Sequence, residues 1–158
     1  MGERVSRVPV RAGLIVASGI VVGFVYGVAR TLIDEGREPL SGVELLIGVV
    51  VYTLVASSLA LRPENIVERV IGAAATCVGA LWASIGGTLV PYAIGVTEMS
   101  VQEFARQIND DIEWWWVFGE AGLGSLVGGA IIGGACGIVA HVAVMLGRRF
   151  GLWERGVG

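Results

Sequence analysis

Four stretches of the chain carry no charged residue at all: Ala12–Ala29, Leu45–Leu61, Val70–Ile94 and Ala121–Gly147. Crossing the hydrocarbon core of a bilayer takes about 20 apolar residues, with a range of roughly 17–25, so each stretch is long enough. None carries the one-sided polar stripe of a helix packed on a water-exposed core. A chain of 158 residues has too much surface for its volume to bury four such helices in water. The pattern therefore predicts an all-α polytopic membrane protein. It is a single membrane domain over residues 1–158, with transmembrane helices at 12–33, 43–61, 70–94 and 117–147.

The connections refine this picture. "IDEGREPLSG" (Ile33–Gly42) and "RPENIVER" (Arg62–Arg69) are short turns with Gly and Pro as breakers. Short turns make neighbouring helices antiparallel, which predicts two hairpins, helix 1 with helix 2 and helix 3 with helix 4. The third connection, "TEMSVQEFARQINDDIEWWW" (Thr97–Trp116), is longer. Ser100 and Glu103 have the spacing of a capping box. Val101, Phe104, Ala105, Ile108, Ile112 and Trp115 follow at helical intervals, with polar residues between them. This predicts an amphipathic helix over 100–116 lying on the outer interface. Trp114, Trp115 and Trp116 then serve as interfacial anchors at headgroup level, or as a platform for an outer partner.

Charge sets the orientation. Only 16% of residues are charged, against about 25% in soluble domains. The chain has no lysine, so its eleven basic residues are all arginine. Eight of them (Arg4, Arg7, Arg11, Arg62, Arg69, Arg148, Arg149 and Arg155) fall on one side of the expected spans, and Arg30, Arg37 and Arg106 on the other. The positive-inside rule places the chain in the cell (plasma) membrane as a multi-pass protein with both termini cytoplasmic. The basic start runs straight into a full-length span, so helix 1 is expected to remain as an anchor rather than be cleaved. An all-arginine, Val- and Gly-rich composition hints at a prokaryotic, GC-rich source.

Glycine supplies the packing chemistry. Lipid gives helices no hydrophobic reason to associate, so close backbone approach over small residues takes that role. Gly19, Gly23 and Gly27 form a GxxxGxxxG row on helix 1, and Gly129, Gly133 and Gly137 form another on helix 4. On helix 3, Ala75, Gly79, Ala83 and Gly87 keep the same spacing. At about 100° per residue, Gly122 joins the helix 4 row, while Gly124, Gly128 and Ala135 fall nearly opposite. Helix 4 is thus expected to pack on two sides. Helix 2 is bulkier and the most lipid-exposed.

A few polar groups stand at membrane depth. Arg30 shares a face with Gly19 and Gly23, which points it inward, and it is expected to pair with Glu120 or Glu44 near the outer surface. The ExxxG pattern recurs from Glu44 to Gly48 and from Glu120 to Gly124, and "TLI" (Thr31–Ile33) aligns with "TLV" (Thr88–Val90). A two-plus-two repeat about an axis along the membrane normal would account for this, as would chance similarity between apolar helices. His141 lies about two turns inside the end of helix 4, as a proton relay or ligand contact or as a neutral histidine bonding across helices. Together, Arg30, Glu44, Glu120 and His141 are the candidate polar or ion site. Cys77 and Cys136 fall within spans, lack metal-ligand spacing and read as small apolar fillers.

Nothing in the pattern supports an enzyme, a cofactor or a metal site: there is no nucleophile–base set, no paired acids, and no phosphate loop. The short basic ends are explained by topology rather than nucleic acid. Two functions remain. One is a structural or accessory subunit that packs through glycine-rich helices into a homo- or hetero-oligomeric membrane complex, its partners being the lipid bilayer and itself or other membrane subunits. The other is a small cation or proton channel or transporter with an acidic outer vestibule.

Overall fold

The computed structural model describes residues 8–33, 42–60, 65–97, 100, 103 and 122–151. Among these, all regular structure is helical: α1 (Val8–Ile33), α2 (Gly42–Ala60), α3 (Ile66–Ala93) and α4 (Gly122–Arg149). Three helices contain stretches long and apolar enough to cross a membrane, at Gly13–Ile33, Ile66–Ala93 and Gly122–Arg149. α2 is shorter, with 19 residues and an apolar stretch from Leu46 to Leu59. Large apolar side chains such as Leu14, Val21, Ile33, Leu59, Ile71 and Ile131 face outward, the reverse of a water-soluble bundle.

Local chemistry sets the ends of α3. Asn65 has extended backbone, and its side chain accepts from the Glu68 N–H at 3.2 Å, satisfying one of the free donors of the first turn. The helix therefore begins four residues earlier than the apolar run predicts, and Arg69 belongs to its first turn rather than to the connecting loop. At the other end, Val96 N–H reaches Pro91 O and Gly95 N–H reaches Tyr92 O. Gly95 is in the left-handed region, with φ of 70°, completing a glycine-terminated C-cap.

Packing follows small residues rather than chain neighbours. α3 is the central helix. α1 lies along it in parallel and at constant register, so that Gly19 meets Thr76, Gly23 meets Ala80 and Gly27 meets Ser84. Thr31 Oγ1 donates to Thr88 O at 3.4 Å in the same register. α4 runs antiparallel along another face of α3, with Gly122 at Trp82, Gly129 at Val78 and Leu81, Gly133 at Ala73 and Ala74, and Gly137 at Val70. α2 touches the other three helices but only lightly touches α1, and its buried residues form a single row, Val49, Thr53 and Ser57. The α1–α2 hairpin expected from the short turn is thus a minor contact, because the glycine row of α1 fits α3 and finds no matching row on α2. Nor is the arrangement twofold: α2 contacts α3, whereas α1 and α4 do not meet among the described residues.

The start of the outer connection is visible as a capping box. Ser100 N–H donates to Glu103 Oε2 at 2.8 Å, and Glu103 N–H donates to Ser100 Oγ at 3.2 Å, the reciprocal pair that opens a helix. The remainder of the expected 100–116 helix, with Trp114, Trp115 and Trp116, lies outside the described residues, as does Glu120 at the expected start of the fourth span.

Candidate functional site

The α1–α3 seam is built from backbone. A methyl group at Gly23 would overlap the carbonyl of Ala80, one at Gly27 the carbonyl of Ser84, and one at Gly87 the carbonyl of Phe24. Gly79 instead accommodates the side chains of Ile20 and Val16. The α3–α4 seam is similar at its middle, where a methyl at Gly133 would stand 2.6 Å from Ala73 O and 2.7 Å from Ala74 Cα. Along both seams the hydroxyls turn back on their own helices. Thr31 donates to Gly27 O, Thr76 to Gly72 O, Ser84 to Leu81 O and Thr88 to Ser84 O, at 2.7 to 3.0 Å. Such bonds satisfy a hydroxyl without offering it to a ligand.

The opposite side of α4 is different. A methyl added at Gly124 or Gly128 meets nothing within 4 Å among the described residues, so neither glycine serves a close approach of helices there. Gly13, Gly48 and Gly86 are open in the same sense. Gly48 borders an apolar groove of about 70 Å³ where α1, α2 and α3 diverge, lined also by Val22, Gly23, Tyr26, Val49 and Tyr52. Ser18 Oγ and Tyr52 Oη, 2.6 Å apart, bond across it.

The polar residues separate into two ends. Arg30 Nη2 lies 2.9 Å from Glu44 Oε2, one of the two acids expected of it. The pair is partly exposed, 30% at Arg30 and 56% at Glu44, so it fixes the α1–α2 approach more than it stabilises the fold. His141 sits 19 residues after the start of α4, about 28 Å along the axis at 1.5 Å per residue. His141 is partly buried, and its Nδ1 has no hydrogen-bond partner among the described residues. The structure therefore does not gather Arg30, Glu44 and His141 into one site.

No family model matches the chain, and no curated protein or solved structure is significantly similar to it.

Sequence reasoning passes over the most deeply buried charge among the described residues. Arg69 is 0% exposed; its Nη1 donates to Ala140 O at 3.2 Å, tying the first turn of α3 to α4 beside His141. Arg148, in the last turn of α4, is close enough to repel it. An arginine at a span end reads as a topology signal, which masks its structural position; the signal that could have exposed it is Asn65, a cap that draws Arg69 into the helix. Among the described residues no three His, Cys, Asp or Glu side chains converge as metal ligands usually do.

Proposed function

We propose that this protein is a four-span subunit of a membrane assembly, and that it joins copies of itself or other membrane subunits through the second face of α4. The observation that carries this reading is the openness of Gly124 and Gly128. Glycine inside a helix costs about 1 kcal/mol relative to alanine. Gly23 and Gly133 recover that cost by letting backbones touch. Gly124 and Gly128 recover nothing from the described residues of their own chain, and a helix of a second subunit is the partner that would use them. In this reading α2 also crosses the bilayer: its 19 residues extend about 28 Å, against a hydrocarbon core of about 30 Å. Both termini are cytoplasmic, and the 100–116 helix rests on the outer surface with its three tryptophans at the headgroups.

Native mass measurement of the full chain from mild detergent tests this. A dimer, a larger oligomer or a stoichiometric co-purifying subunit is expected; a lone monomer across a wide concentration range would overturn it. A second reading, a small cation or proton channel or transporter, is favoured by two fully buried hydroxyls, Thr53 and Ser57, whose oxygens lack well-aligned hydrogen bonds among the described residues. Cation flux in proteoliposomes that disappears in Glu120→Gln would put this second reading first.

A further inference from the structure

The groove where α1 and α2 diverge has a polar tie at each end. Its floor is Gly23, Val49 and Ala80, all buried, and its rim is Val22 and Tyr26 on α1 with Gly48 and Tyr52 on α2. One turn below Val22, Ser18 Oγ and Tyr52 Oη bond at 2.6 Å. One turn above Tyr26 and Gly48, Arg30 Nη2 meets Glu44 Oε2 at 2.9 Å. About 18 Å of helix separates the levels of the two ties. Between them the wall at Gly48 is open, since a methyl there meets nothing within 4 Å among the described residues.

Size and charge restrict what can lie in this groove. α1 carries a membrane-length apolar stretch, Gly13–Ile33, so the groove stands at hydrocarbon depth with Arg30 at its surface end. A helix about 10 Å or more across cannot enter a groove of about 70 Å³, whereas an unbranched acyl chain can. Above the apolar slot two opposite charges stand side by side, 30% exposed at Arg30 and 56% at Glu44. An anionic headgroup would satisfy Arg30 and be repelled by Glu44; a zwitterionic one matches both. We propose that this groove binds one phospholipid with a primary-amine headgroup, of the phosphatidylethanolamine type. One acyl chain lies between α1 and α2, over Gly48. The Arg30 guanidinium, a fixed fork of five N–H donors, donates to the phosphate oxygens while it keeps Glu44 within reach. The lipid ammonium donates to the Glu44 carboxylate. Bound in this way, the lipid braces an α1–α2 contact that the protein itself makes only lightly. The inference needs α1 to cross the bilayer and is independent of how subunits assemble.

The test is native mass measurement of the full chain, stripped of co-purified lipid in mild detergent. The stripped chain is titrated with dioleoyl phosphatidylethanolamine, phosphatidylcholine or phosphatidylglycerol. One phosphatidylethanolamine per chain is expected, held about tenfold more tightly than phosphatidylglycerol, the worth of one charge-assisted hydrogen bond. Gly48→Leu, whose side chain fills the groove, lowers retention of all three lipids. Glu44→Gln abolishes the preference for the amine headgroup and leaves phosphatidylglycerol binding in place. Arg30→Gln weakens all three about tenfold. Circular dichroism and elution volume establish that each variant is folded. Lipid is counted per chain, so a monomer that holds it upholds this site while arguing against assembly, and an oligomer without it does the reverse. A stripped chain that takes up no phosphatidylethanolamine, phosphatidylglycerol held as tightly, or undiminished retention by Gly48→Leu would overturn the proposal.

Discussion

Glycine has opposite surroundings on two faces of this bundle. Along the α1–α3 seam, Gly23, Gly27 and Gly87 stand where any side chain would collide with backbone of the facing helix. On the far face of α4, Gly124 and Gly128 have the same chemistry and spacing, yet an added methyl would touch nothing among the described residues. The lesson is that a small-residue row states only that something can approach closely. Which helix approaches, and whether it belongs to the same chain, depends on the surface opposite.

Substitutions should separate the two faces. The largest effect is expected at Gly23→Val or Gly27→Val, where the colliding atoms are carbonyls that cannot rotate away: a loss of about 3 kcal/mol or more in reversible unfolding from mixed micelles, at the upper end of overpacking costs. An effect below about 0.5 kcal/mol would mean that α1 does not seat on α3 as described. Next comes Arg69→Ala, which empties a fully buried site and leaves Ala140 O without its side-chain donor, for about 2–3 kcal/mol. Arg69→Met keeps most of the volume and should recover more than half of that loss; if Met is as costly as Ala, the charge rather than the packing is what matters there. At Gly122→Ala the obstacle is the Trp82 ring, 2.9 Å from the new methyl, and a side chain that is 37% exposed can shift. About 1 kcal/mol is expected, with a change in Trp82 fluorescence. Gly128→Leu should leave the unfolding free energy within about 0.5 kcal/mol, since among the described residues nothing is there to be displaced.

The helices themselves are legible in the sequence because lipid imposes the simplest of constraints: long runs without charge. The glycine rows are equally legible, since a spacing of four keeps residues on one face. Partner choice is not. Short turns suggest that α1 pairs with α2, but proximity along the chain is worth little against a matched row, and the row opposite Gly19, Gly23 and Gly27 is Thr76, Ala80 and Ser84 on α3. Similar reasoning explains the polar residues. Arg30 could be matched to Glu44 because both stand at the same end of adjacent spans, whereas Arg69 is concealed by the very rule that orients the chain. His141 and Arg30 read as parts of one path only while their depth is ignored; roughly 28 Å of helix separates their levels.

The most direct measurement is native mass in mild detergent for three chains side by side: wild type, Gly128→Leu and Gly23→Leu. The account predicts that the wild-type chain is an oligomer or holds a partner. Gly128→Leu should be a folded monomer without that partner, and Gly23→Leu should be destabilised before any question of assembly arises. A wild-type chain that is monomeric at every concentration and free of partners, or a Gly128→Leu chain that assembles as well as wild type, would contradict it.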